Sequence, residues 1–104
     1  MKNKVIKTAK NFINKELKKQ VYFDTITEYL KTKGYIVVFY DKNGENELLD
    51  KLGLLDYSKT VSAFTVIRND VIFIFVDSSA SSEDKLYLLL HETGHILLNH
   101  MNTN

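Results

Sequence analysis

Cysteine and proline are both absent from these 104 residues. Without cysteine there can be neither disulfides nor a thiolate metal site, so any metal must be held by His, Asp or Glu. That absence fits a reducing, intracellular setting. No internal repeat, low-complexity tract or linker interrupts the chain, and its length leaves room for one domain, residues 1–104. Long hydrophobic runs are missing too. The longest, Val71 to Val76, is far too short to span a bilayer. Lys and Asn break up the apolar residues of the first segment, "MKNKVIKTAKNFINKELKK", so it lacks the continuous hydrophobic region of a signal peptide. The expectation is a soluble, cytoplasmic protein with no membrane partner.

Charge is nearly balanced at +1 but unevenly spread. Residues 1–20 carry seven lysines against the single Glu16, a local +6 that leaves −5 on the rest. A basic helix can dock on nucleic acid or on an acidic partner. Lysine without arginine, and without interleaved exposed aromatics, makes a poor base-reading surface, so a solvated face is expected instead of direct nucleic-acid binding.

Periodicity gives the element order. Val5, Ile6, Ala9, Phe12, Ile13 and Leu17 form one apolar stripe over residues 3–19, with lysines opposite. Asp24 or Thr25 can cap a second helix to about Lys33, with Ile26, Tyr29 and Leu30 inward and Gly34 at its end. Tyr35 to Asp41 is aromatic and β-branched, a strand. Turn chemistry at residues 41–44 precedes a short helix from Glu45 to Leu52 that stops at Gly53, and a loop follows around Tyr57 to Lys59. "VSAFTVIR" and "VIFIFVD" form a hairpin across Asn69-Asp70, which tolerate positive φ. Val71 to Val76 is apolar at every position and should be covered on both faces. Ser81, with Asp84 three residues on, approximates a capping box for a last helix running to about His100. The fold class is therefore α+β: two N-terminal helices, a three-stranded sheet with a hairpin, and a C-terminal helix.

That last helix carries His91-Glu92-Thr93-Gly94-His95, the H-E-x-x-H pattern of zinc peptidases. Four residues on a helix are one turn, so both imidazoles can reach one metal ion from one face. Glu92 lies beside that face, too far round to be the natural ligand but placed to hydrogen-bond a water on the metal. There it can take the water's proton and deliver it to the leaving amine. Leu89, Leu90, Thr93, Gly94, Ile96 and Leu97 are all uncharged, which argues for a helix buried around its metal face. The competing reading is a helix whose histidines merely sit at its solvent edge. Gly94 inside a helix costs about 1 kcal/mol relative to Ala, which suggests that something packs closely there.

Two histidines do not complete a zinc site. On a straight helix His100 points about 180° from His91 and about 140° from His95, so it could bind only if the helix unwinds near Asn99. No Asp or Glu follows His95. Upstream, Asp77 and Asp84 are the carboxylates that could approach, although each suits a capping or surface role better.

The segment "DVIFIFVDSSASSEDKLYLLLHETGHILLNH", residues 70–100, resembles the ImmA/IrrE metallopeptidases of bacteria, phages and mobile elements. It has a hydrophobic strand, a polar connection, a charged helix start, then H-E-x-G-H-x-L-L-x-H. The order of elements from about residue 22 agrees with that family, while the first helix adds little. The resemblance implies a zincin-like fold, Zn2+ on His91 and His95, and Glu92 as general base. It further implies cleavage of a helix-turn-helix transcriptional repressor. In the family a following helix brings a glutamate as third ligand. With no carboxylate after His95, the expectation is a short or C-terminally truncated member, or a ligand lent by another molecule. The rival expectation is a catalytically inactive peptidase-like module that binds a repressor or antitoxin without cutting it.

Overall fold

β3 (Val71–Asp77) is the middle of the sheet, as its unbroken apolar run requires. In the computed structural model, which describes residues 2–17 and 22–98, it pairs in parallel with β1 (Ile36–Tyr40) and antiparallel with β2 (Ala63–Arg68). The full order is α1 (Lys2–Leu17), α2 (Phe23–Thr32), β1, α3 (Glu47–Lys51), α4 (Leu55–Ser58), β2, β3 and α5 (Ser82–Leu97). The chain is thus a small α+β domain of five helices and a three-stranded mixed sheet among the described residues.

Residues paired across strands point to the same side of a sheet, so the register sorts the two faces. Ile72, Ile74 and Val76 of β3 share a face with Val37, Phe39, Ala63, Thr65 and Ile67. That face meets α1, α2 and α5 in a core that includes Ala9, Ile13, Ile26, Leu30, Leu89 and Leu90. Phe73 and Phe75 point the other way. With Tyr40, Phe64 and Val66 they pack against Leu48, Leu49, Leu52, Leu54 and Leu55 of the α3–α4 segment. Coverage on both sides is what an all-apolar central strand needs. The β2–β3 hairpin turns through Asn69 and Asp70, both at positive φ (53° and 66°), the backbone of a tight two-residue hairpin turn.

Several local expectations need correction. α2 is capped by Tyr22, not by Asp24 or Thr25: the Thr25 hydroxyl accepts the Tyr22 N–H at 2.6 Å, and Asp24 falls in the first turn, where the helix dipole favours it. The loop expected around Tyr57 to Lys59 overlaps the single turn α4 (Leu55–Ser58), too short to show a period. Its closing contacts run from Ser58 N–H to Leu54 O (2.9 Å) and from Ser58 Oγ to Leu55 O (2.6 Å). Phe12, expected inward, is 47% exposed. Val5, Ala9 and Ile13 form the buried row at four-residue steps, and Phe12 stands about 100° off Ile13. α5 ends at Leu97 with Leu98 as its C-cap, short of the expected His100; the side chain of Leu17, the lysines at 18 and 19, and residues 99–104 lie outside the described residues.

α1 packs against α5 at Gly94. A Cβ there would run into the Val5 side chain and carbonyl oxygen, and would stand 2.9 Å from the Val5 carbonyl carbon. The glycine is therefore the point of close approach that its position in the helix suggested. α1 is tied to α2 by Glu16, whose carboxylate accepts from Lys33 Nζ (2.7 Å) and from the Tyr29 hydroxyl (3.2 Å). Among the described residues no helix is long and apolar enough to cross a membrane.

Candidate metal centre

α5 starts at Ser81, whose Oγ accepts the Asp84 N–H at 3.1 Å, the first half of the expected capping box. From there the helix runs without interruption through the motif. His91 and His95 stand edge to face, ring centroids 4.5 Å apart, with their Nε2 atoms separated by 3.3 Å. Two nitrogens bound tetrahedrally to one zinc ion at about 2.0–2.1 Å are about 3.3–3.4 Å apart. That spacing is compatible with one tetrahedral ion and equally with a hydrogen bond from one ring to the other.

Glu92 is turned aside from that nitrogen pair. Its Oε1 accepts a hydrogen bond from Thr65 Oγ1 of β2 at 2.7 Å, while Oε2 lies 3.5 Å from His91 Nδ1, the outer limit of such a contact. The carboxylate is largely enclosed, its side chain 14% exposed. One turn before His91, Tyr87 lays its ring nearly parallel to the imidazole, 11° between planes at 6.4 Å. Ser62, Ala63, Tyr87, Leu88, His91 and Glu92 line a hollow of about 190 Å³ at this place. Two larger hollows, of about 610 and 510 Å³, lie along α2 and beside α3. Their walls carry carboxylates, hydroxyls and Lys31 but no histidine, so the smaller one is the hollow that the motif borders.

The upstream carboxylates are employed elsewhere. Asp77 is buried at the end of β3, where Oδ1 accepts from the Ser79 N–H (3.1 Å) and both carboxylate oxygens lie 3.0 Å from Ser79 Oγ. It closes the turn into α5. Asp84 sits exposed in the first turn of α5, in keeping with the helix dipole. Among the described residues no group of three or more His, Asp or Glu is placed to share a metal ion. His100 lies outside them.

Sequence reasoning missed Thr65, which stands 27 residues before Glu92. A signal was present: on the helix-facing side of the sheet every other position is apolar, and Thr65 alone is polar among the described strands. Reading that signal required the register of β2 on β3, which the sequence does not state.

Comparison with known proteins adds nothing to this geometry, since no family model, no curated protein and no solved structure matches the chain.

Proposed function

We propose that this chain is a zinc-dependent endopeptidase of zincin-like fold, similar to the ImmA/IrrE metallopeptidases, with a helix-turn-helix repressor as its protein substrate. The observation that carries the reading is the 3.3 Å separation of His91 and His95 Nε2, with a carboxylate on the adjacent residue held in place by the sheet. In this reading His91 and His95 hold Zn2+, which when bound acidifies water and polarises a peptide carbonyl. Glu92 does the proton work: its carboxylate takes the proton of the attacking water, and the same carboxyl later gives it to the leaving amine. Tyr87, Ser62 and Ala63 wall the hollow that would receive a substrate side chain beside the cut bond. The outer edge of β2 has no strand partner among the described residues, and an extended peptide added there would run past Glu92.

A second reading is favoured by one observation, the lack of a third metal donor beside His91 and His95 among the described residues. It is a peptidase-like module that grips a repressor or antitoxin without cutting it. The deciding experiment pairs metal analysis of the purified chain with incubation against a helix-turn-helix repressor encoded beside it. The enzyme reading expects about one zinc per chain and cleavage, with Glu92→Gln keeping the zinc and losing the cleavage. Binding without cleavage by the zinc-loaded wild type would favour the module. Cleavage that survives Glu92→Gln would remove Glu92 from its role.

A further inference from the structure

We infer that Thr65 is a positioning residue for Glu92: its hydroxyl fixes Oε1 of the carboxylate and so sets where that side chain stands beside His91. The inference rests on the zinc-hydrolase reading and deepens it. Thr65 sits on β2, between Ala63 and Ile67 on a sheet face that is otherwise apolar, and its Oγ1 donates to Glu92 Oε1 at 2.7 Å. A β-branched side chain on a strand has restricted χ1, so the donor is itself aimed before the carboxylate arrives. Glu92 needs such help. Its neighbours in the helix hold the backbone, and among the described residues the other polar contact of its carboxylate is the weak 3.5 Å approach of Oε2 to His91 Nδ1. One anchored oxygen in a largely enclosed place removes much of the freedom left to its side-chain torsions. A threonine serving only to fill the space between β2 and α5 would be replaceable by valine, which has nearly the same shape.

Acetohydroxamate, a small bidentate zinc-binding anion, provides a readout that needs no substrate. Its binding involves a proton shared with an adjacent carboxylate, so its affinity depends on where that carboxylate lies. Isothermal titration is performed on the zinc-loaded full chain as wild type, Thr65→Val, Thr65→Ser, Glu92→Gln and Thr65→Val/Glu92→Gln, with Thr65→Ala as a second variant lacking the donor. Zinc affinity should stay within about 3-fold throughout, because neither residue is a zinc donor in this reading. The acetohydroxamate Kd should rise by about 10-fold in Thr65→Val and Thr65→Ala, return to within about 3-fold in Thr65→Ser, and not rise further when Thr65→Val is added to Glu92→Gln. Wild-type affinity in both donor-free variants overturns the assignment. So does a Thr65→Ser variant as weak as Thr65→Val, additivity with Glu92→Gln, or loss of zinc from the Thr65 variants. If instead the wild type binds no zinc, or binds zinc but no acetohydroxamate, the zinc-hydrolase reading falls first and the role of Thr65 falls with it.

Discussion

Val5 of α1 lies against the backbone of Gly94 in α5, so the two helices touch inside the H-E-x-x-H motif itself. His91 and His95 come together on one side of α5, and the glycine between Glu92 and His95 is where the first helix is received. A basic helix that contributes little to the family resemblance is thereby the element that braces the motif from behind.

Gly94→Ala should therefore destabilise the fold, although alanine is the better helix former by about 1 kcal/mol. The added methyl meets the Val5 carbonyl as well as its side chain, and backbone cannot step aside cheaply. A net loss of about 1–3 kcal/mol is expected, read as a lower urea midpoint at unchanged slope. Adding Val5→Ala should recover only part of it, because the carbonyl contact remains. An unchanged or higher midpoint for Gly94→Ala would show that the helices are further apart.

Zinc should stabilise the wild type by mass action. At a free concentration 100 times Kd the gain is about 2.7 kcal/mol, enough to raise Tm by about 10 °C or more in a domain of this size. His91→Ala and His95→Ala should each abolish most of that rise, and Glu92→Gln should keep it. Differential scanning fluorimetry with added zinc or EDTA measures all four proteins. A rise of the same size in the His91→Ala/His95→Ala double variant would locate the metal elsewhere.

Thr93 follows Glu92 but faces the core, where its hydroxyl is buried with no hydrogen-bond partner among the described residues. An unpaired buried hydroxyl costs about 1–3 kcal/mol, and valine fills nearly the same volume. Thr93→Val should leave stability unchanged or raise it by up to about 1 kcal/mol, with zinc content unaffected. A clear loss in chemical denaturation would mean that the hydroxyl is paired in solution.

Alkaline pH should weaken the fold through two buried phenols. Burial is the main cause that pushes Tyr29 and Tyr40 up to about 12, reinforced by Glu16 at Tyr29 and by Asp77 at Tyr40. In the unfolded chain each titrates near 10, so between about pH 10 and 12 the unfolded state releases protons that the folded state keeps. Stability is fully present below pH 10 and declines as pH rises toward 12, by up to about 2 kcal/mol per tyrosine. Urea midpoints from pH 8 to 12 should fall less steeply in Tyr29→Phe and in Tyr40→Phe. The second variant starts lower because Tyr40 loses its 2.6 Å hydrogen bond to Val61 O. Parallel pH curves for wild type and both variants would exclude the phenols as the cause.

Much of this was readable from local pattern. The hairpin followed from Asn69-Asp70, the central place of β3 from its unbroken apolar run, the start of α5 from Ser81, and the close contact at Gly94 from the cost of glycine in a helix. The spacing of His91 and His95 needs nothing beyond helical geometry. What was hidden depends on contacts between distant segments. Phe12 has the right period yet stands exposed beside the buried row of Val5, Ala9 and Ile13, and only the position of the partner elements decides that. Tyr22 became a cap because Thr25 supplies the oxygen from inside the helix, reversing the usual direction of capping. Thr65 looked like one alternating strand residue until the register on Ile74 turned it toward α5.

The hairpin has a consequence for how the candidate site is assembled. Ser62, Ala63, Thr65, Tyr87, His91, Glu92 and His95 all belong to one uninterrupted stretch of β2, β3 and α5, joined by the turn at Asn69-Asp70 and the bend after Asp77. No distant segment has to arrive before these groups can meet, so closing the loops that assemble them costs little chain entropy. The groups of the candidate site thus come from one contiguous part of the chain, and α1 acts on it as a buttress.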